Sequence, residues 1–276
     1  MKAGKHMGKA LENPWPPLFL RYPHIPRTSI GWRMGYGEAY SLEFSDWYKT
    51  LSKNEKQQYQ IMFPEPRNWL GHYQNGVELW NECGEPHYSR EWLINQSMNS
   101  EYLFFWQTGD IEHDPECCFS QWQYSEFNVG HVEFTCTEQY MMVLKARIFD
   151  DEEIENKIMK TSSPKQMKSL GRKVRNFNSK VWDKLKHSVV LNGNYYKFTQ
   201  NKKMRDVLLA TDGKVLVEAS PLDTIWGIGY GKDNPNATDP RCWRGSNLLG
   251  FALMELRDEL KRVYQNYDRI NWSLYD

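Results

Sequence analysis

The sequence predicts a mainly helical α+β protein, a compact domain with a few short strands, preceded by an aromatic-rich helical N-terminal extension. Three observations lead there. Apolar residues recur at three- and four-residue spacing through most of the chain between 135 and 264, as in helices with one buried face. The runs that read as strands are short: Tyr102–Trp106, a hairpin-like pair around Gly130 within Val129–Phe134, and Val215–Val217. The first hundred residues hold prolines and aromatic residues, and their periodic stretches are helical. A chain of 276 residues suffices for one large domain or two ordinary ones. The change of character near residue 101 divides it into an accessory region 1–100, a principal domain 101–265 and a tail 266–276.

Taken in order, Asn13-Pro14-Trp15-Pro16-Pro17 and Tyr22-Pro23-His24-Ile25-Pro26 read as extended, turn-rich chain. Tyr40, Phe44, Trp47, Tyr48 and Leu51 give a helix over 38–51 one aromatic face. Ser52 and Glu55 have capping-box spacing for a second helix to Phe63, ended by Pro64 and Pro66. Trp69, Tyr73, Trp80 and Trp92 continue the aromatic theme without a catalytic pattern. Thr135 and Glu138 have capping-box spacing for a helix reaching Ile148. Helical spacing follows over 151–161, 164–174, 179–191 and 201–210. The last helix runs from about Ser246 to Tyr264, and Leu248, Leu249, Ala252, Leu253 and Leu256 mark it as core.

Composition excludes several partners. Lysine plus arginine and aspartate plus glutamate both total 35, so net charge selects no ligand. The balance hides a dipolar chain: residues 101–155 hold 13 acids against Lys145 and Arg147, and residues 156–203 hold 13 basic residues against Asp183. Such a basic layer is a solvated face or a seat for phosphates. Five cysteines, Cys83, Cys117, Cys118, Cys136 and Cys242, form no regular framework, which fits reduced thiols in a cytoplasmic protein. No apolar run approaches the ~20 residues of a membrane span. His113, Asp114, Cys117 and Cys118 suggest a metal, but adjacent cysteines do not easily face one tetrahedral ion, and no second pair follows at zinc spacing. The segment reads as a plain loop, with no metal and no cofactor.

Two stretches carry chemistry. Glu138 and Lys145 are seven residues apart, which returns them to nearly one helical face, roughly 10 Å apart along the axis, with Met141 and Met142 beside them. That pattern suits a pocket wall; equally, Glu138 caps the helix and Lys145 snorkels. In residues 214–231 a strand ends at Ser220-Pro221, and Asp223, Trp226 and Gly227, Gly229 and Gly231 follow. Glycines at a strand tip let backbone approach a ligand and turn N–H groups toward an anion. The alternative is that Asp223 caps a short helix and Trp226 fills core.

At this point the chain resembles a known family. Phe105-Trp106, Phe119-Ser-Gln-Trp122, Thr137-Glu138-Gln139-Tyr140 with Lys145-Ala146, Ser163-Pro164, Leu170-Gly171-Arg172, Trp182, Lys197-Phe198, Leu216-Val-Glu-Ala-Ser-Pro-Leu-Asp223-Thr-Ile-Trp-Gly-Ile-Gly229 and Trp243-Arg-Gly-Ser-Asn-Leu-Leu-Gly250 follow in an order similar to the NADAR family. The likeness covers about 101–265. Thr137-Glu138 replaces a frequent Ser-Glu and keeps the carboxylate. The resemblance implies a compact, mainly helical α+β fold and cleavage of a ribosyl C1′–N bond. The substrate it implies is ADP-ribose on guanine of a nucleotide or nucleic acid, or an early riboflavin-pathway intermediate. An ADP-ribosyltransferase toxin is then an expected counterpart, in an antitoxin or defence role.

Cleaving such a bond develops positive charge at C1′ and negative charge on the leaving nitrogen, so it calls for a carboxylate and a proton donor. Glu138, Lys145 and Asp223 are the candidate catalytic set. A covalent role for Lys145 needs a neutral amine, obtained by burial or by a neighbouring cation such as Arg147. Trp182, Trp226 and Trp243 are stacking candidates, and Lys168 and Arg172 are phosphate candidates. Phe105, Trp106, Ser220, Gly227, Gly229 and Asn247 complete the expected substrate-binding set. Three function classes follow: a glycosidase of ADP-ribosylated guanine, a glycosidase of riboflavin intermediates, and a non-catalytic ADP-ribose or nucleotide reader. The last needs no acid and amine together.

Overall fold

The structure, a computed structural model, describes residues 9–74, 86–96 and 100–275. Trp80 and Cys83 lie outside the described residues. The chain divides into two units, Met1–Trp80 with Glu259–Asp276, and Asn81–Asp258.

The first unit contains α1 (Leu18–Arg21), α2 (Tyr36–Thr50) and α3 (Lys53–Met62). The capping box is present: the Ser52 hydroxyl accepts from the Glu55 N–H, and the Glu55 carboxylate accepts from the Ser52 N–H at 2.9 Å. Proline-rich chain leaves carbonyls without a ladder, and tyrosines answer them. Tyr40 Oη donates to the Pro16 carbonyl at 2.6 Å, and Tyr59 Oη donates to the Trp15 carbonyl at 2.7 Å. The aromatic faces of the sequence become one core of Phe19, Tyr40, Phe44, Tyr59, Phe63 and Trp69, joined by Val263 and Ile270 from the end of the chain. Burying aromatic rings at offset or edge-on angles stabilises beyond their area. Phe44 and Tyr59, at 6.1 Å and 50°, are one such pair.

The second unit begins with α4 (Arg90–Asn95) and β1 (Tyr102–Phe105). A hairpin of β2 (Phe127–Val129) and β3 (Val132–Phe134) follows, its register pairing Phe127 with Phe134. Then come α5 (Thr137–Ile148), α6 (Glu152–Met159), α7 (Pro164–Gly171), α8 (Ser179–Gln200), α9 (Lys202–Leu209), β4 (Val215–Glu218) and α10 (Leu248–Tyr264), whose residues from Glu259 onward fall in the first unit. Strands β1 and β4 pair in parallel, from Tyr102 against Val215 to Phe105 against Glu218. Parallel pairs are buried on both faces, and Leu216 and Val217 are fully buried. No helix among the described residues is long and apolar enough to cross a membrane.

Two local readings are corrected. Helix α8 continues to Gln200 rather than ending at Leu191, running straight through Asn192-Gly193-Asn194. A Cβ at Gly193 would sit 2.7 Å from the Tyr140 ring, so this glycine seats a ring from α5 rather than ending a helix. The start of α5 is closed by Gln139, not Glu138: the Thr135 N–H and hydroxyl both donate to Gln139 Oε1, at 2.9 and 3.1 Å. Glu138 is thereby released from capping.

Where α10 meets β4, the chain leaves no room for a side chain at Gly250. A Cβ there would lie 2.1 Å from the Leu216 carbonyl oxygen, which is backbone and cannot rotate away. Asn247, in the left-handed region at φ 52°, bridges the same junction: its Nδ2 donates to the Leu216 carbonyl and its Oδ1 accepts from the Glu218 N–H, both at 2.9 Å. Gly250→Ala should destabilise by about 3 kcal/mol, the upper range for overpacking, against at most about 1 kcal/mol gained in helix propensity. Urea denaturation followed by circular dichroism measures it; an unchanged or raised midpoint would show that α10 can step away from β4 at no cost.

Candidate active site

Helix α5 places Glu138 in its first turn. The Glu138 N–H donates to the Gln121 carbonyl at 2.9 Å, and the Thr137 hydroxyl donates to the same oxygen at 3.3 Å. The segment that supplies this carbonyl is itself held by Lys197, a fully buried lysine on α8 whose Nζ donates to the Ser120 carbonyl at 3.0 Å. Burial lowers the Lys197 pKa to about 8, against the opposing pull of Cys118, Cys136 and Cys117. These bonds set Trp122 so that its indole N–H donates to the Glu138 carboxylate. Glu138 is 2 % exposed, and its Oε1 has no hydrogen-bond partner among the described residues. Burial pushes its pKa up to about 7; Lys168, Trp122 and Arg172 pull against the rise, and Asp223 adds to it.

Helix α7 supplies the cations. Gly171 lets Met142 of α5 lie against it, since a Cβ there would overlap the Met142 thioether. That close approach brings Lys168 and Arg172 within electrostatic reach of Glu138. Lys168 Nζ reaches Asp223 Oδ2 at 3.1 Å. Asp223 Oδ1 accepts from the Ile225 and Trp226 N–H groups at 3.0 and 2.9 Å, closing a turn rather than capping a helix. Burial alone would raise the Asp223 carboxyl, but the Trp226 N–H, Lys168 and the Ile225 N–H hold it below its ordinary value.

Lys145 is half-buried on the Glu138 side of α5. Its Nζ lies 4.1 Å from the centre of the Phe177 ring and 5.6 Å from Trp182. Its pKa is lowered by burial and then by Arg172, and raised by Glu138. The cation in play is Arg172. Arg147, expected in that role, is paired instead with Glu155 at 2.6 Å. The rings favour a positive nitrogen over their faces, whether ammonium or iminium.

The structure therefore brings Glu138, Lys145, Asp223, Arg172 and Trp182 into one electrostatic neighbourhood. Other expected residues do different work. Trp243 is not a stacking surface: it is 3 % exposed and its indole N–H donates to the Ala237 carbonyl at 2.8 Å. Phe105 is core, edge-on to Phe119 at 5.4 Å. Asn247 is committed to the β4–α10 junction. Gly227 and Gly229 do not form an open cradle, because the close approaches they allow are internal. A Cβ at Gly227 would lie 2.8 Å from the Glu218 carbonyl and 2.9 Å from Ser220 Cβ, and one at Gly229, at φ 73°, would lie 2.8 Å from Arg244 Cβ. Ser220 and Trp226 are buried in that folded loop, while Trp106, just past β1, is 40 % exposed.

Sequence reasoning passed over Glu218. It ends β4, and its Oε2 is shielded from solvent without a hydrogen-bond partner among the described residues. Burial pushes its pKa up to about 8; Asp223 and Glu138 add to the rise and Lys168 opposes it. A signal was present in the sequence. An acid directly after Val215-Leu-Val217, in a strand buried from both faces, has to be paired or neutral.

Comparison with known proteins finds relatives of this chain. The profile of the NADAR domain matches residues 104–261. N-glycosidase R617 of Acanthamoeba polyphaga mimivirus is 44% identical over 146 residues, 51% of this chain and 86% of its own. Protein irg-1 of Caenorhabditis elegans is 39% identical over 164 residues, 54% of this chain and 77% of its own. N-glycosidase YbiA of Escherichia coli strain K12 is 31% identical over 168 residues, 60% of this chain and 93% of its own. The NMR structure of E. coli YbiA aligns with a TM-score of 0.48 at 29% identity, covering 60% of this chain and 89% of that one.

The buried state of Glu138 makes a stability prediction with a definite sign. Its pKa rises from 4.5 to about 7 on folding, so the fold favours the protonated form. That contribution is complete below pH 4.5 and is lost as pH rises through 7. The shift corresponds to at most about 3 kcal/mol. Glu138→Gln should therefore melt higher than the wild type at pH 8 and together with it at pH 4. Thermal scans at the two pH values measure this; a lower melting temperature at pH 8 would restore a structural role for the carboxylate.

Proposed function

Because the chain belongs to the NADAR family, we propose that it is an N-glycosidase, a hydrolase of ribosyl C1′–N bonds, and that it removes ADP-ribose from guanine bases of nucleotides or nucleic acid. The observation that carries this reading is the shielded Glu138 carboxyl, with one oxygen unpartnered among the described residues. A carboxyl held out of water near pH 7 suits proton transfer in both directions. Asp223, kept ionised by Lys168 and two N–H groups, faces the positive charge that develops at C1′. Lys145 supplies the nucleophile: its amine adds to C1′ as the base departs, the ribose ring opens to a Schiff base, and water releases the sugar. The Phe177 and Trp182 rings lie over the nitrogen that becomes the iminium. Arg172, set beside Glu138 and Lys145, favours a diphosphate-bearing ligand. Hydrolysis of this kind needs no cofactor. An ADP-ribosyltransferase toxin would create the substrate, which gives the activity an antitoxin or defence setting.

The test is incubation with ADP-ribosylated guanosine and, in parallel, with early riboflavin-pathway intermediates, with products read by mass spectrometry. Release of guanosine and ADP-ribose is expected. Cleavage of the riboflavin intermediates alone would move the substrate, and binding without cleavage of either would make the protein a reader. Glu138→Gln should lower turnover by about 10²- to 10⁴-fold and leave ligand affinity nearly intact.

The covalent step has its own readout. Borohydride added during turnover should leave a ribosyl adduct on the Lys145 peptide, and Lys145→Arg should be inactive. No adduct, together with substantial activity in Lys145→Arg, would exclude the Schiff base and leave water to attack under Glu138 and Asp223.

A further inference from the structure

Of the three carboxylates of the site, Asp223 alone holds a salt bridge among the described residues. Asp223 takes Lys168 at 3.1 Å and two backbone N–H groups. Glu138 takes the Trp122 indole. Glu218 stands within electrostatic reach of both acids and of Lys168, yet its Oε2 meets no donor among the described residues. Its backbone is pinned on every side. The N–H donates to Asn247 Oδ1 at 2.9 Å, the carbonyl accepts from the Ile228 N–H at 3.0 Å, and the residue lies opposite Phe105 in the strand register. The side chain cannot escape to water by moving the strand. A carboxyl with one oxygen shut from solvent and unpartnered among the described residues, within electrostatic reach of two other acids while Lys168 is bonded to Asp223, favours its protonated form.

We propose that Glu218 is a catalytic residue, the general acid that protonates the departing nitrogen, with Glu138 acting as its paired base. This deepens the N-glycosidase reading and rests on it. The C1′–N bond breaks with its electron pair going to the base nitrogen, which takes the Glu218 proton. Lys145 Nζ supplies the pair that closes the new bond at C1′, and the proton it then carries in excess passes to Glu138. Water cleaves the C1′–Nζ linkage, giving the ribose hydroxyl and the free amine. The proton on Glu138 returns to Glu218, so the cycle consumes one water and leaves the site as it began. Two acids in differing surroundings, one entering protonated and one ionised, are the arrangement that runs acid and base chemistry together.

The experiment compares wild type with Glu218→Gln, which keeps the shape and removes the acid. Glu218→Asp, which keeps the acid, serves as a partner variant. On ADP-ribosylated guanosine, wild type should fall in rate as pH rises through about 8, and Glu218→Gln should lose that fall together with about 10²- to 10⁴-fold in kcat. Glu218→Asp should keep that alkaline limb. A ribosyl donor whose leaving group needs no proton, such as p-nitrophenyl riboside, should be cleaved by Glu218→Gln at close to the wild-type rate. Equal losses on both donors with the alkaline limb intact would reduce Glu218 to a structural acid and overturn the proposal. Wild type inert on every ribosyl donor would instead bring down the N-glycosidase reading itself.

Discussion

The ion pair of Lys168 with Asp223 is the interaction on which the second unit's chemistry depends. The partners stand 55 residues apart, one on α7 and one in the loop after β4. A partly exposed pair of this kind contributes little to stability; here the side chains remain 35 % and 19 % exposed. Its importance lies in what it does to its neighbours. With the Trp226 N–H it keeps Asp223 ionised, and it gives the Lys168 hydrogen bond to one of three acids that feel its charge. Glu138 and Glu218, each with a shielded and unpartnered oxygen among the described residues, are left to burial.

Burial would be wasted without precise placement, and placement comes from small groups. Gly171 brings α7 against α5 through Met142, and Gly250 brings α10 against the Leu216 carbonyl. Asn247 then ties the helix start to both sides of the end of β4. A change of one methyl group at these crossings moves a charged side chain, because packed interiors have no slack. The expected glycine cradle turned inward for the same reason: Gly227 and Gly229 fold the loop tightly on itself and hold Asp223 toward Lys168.

The dipolar sequence resolves in the same terms. Acids from 101–155 and bases from 156–203 meet as local pairs, among them Arg175 with Asp151 at 2.7 Å and Lys157 with Glu153 at 2.6 Å. Asp151 also caps α6, and the Arg175 side chain and N–H hold its pKa down to about 2. Much of the basic layer is thus a set of solvated or paired charges. Arg172 differs, because α7 ends at that point and sets its charge beside Glu138 and Lys145.

The sequence by itself determined the mainly helical α+β class, the Ser52–Glu55 capping box, the hairpin around Gly130, the core face of α10 and the likeness to the NADAR family. Each is written in local spacing or in an ordered motif. It also placed Glu138 and Lys145 on one side of α5, because a seven-residue offset nearly closes two helical turns. Only the tertiary structure decided which polar groups are left without partners. Gln139 took the cap and released Glu138. Glu155 took Arg147 and left Arg172 beside Lys145. Ala237 took the Trp243 indole and withdrew it from any ligand. The acid after Val215-Leu-Val217 was legible, but that its Oε2 lacks a partner among the described residues showed only when β1, β4 and α10 were assembled around it. A carboxyl's chemistry follows from its desolvation and its neighbours' charges, and neither is encoded within a few residues of chain.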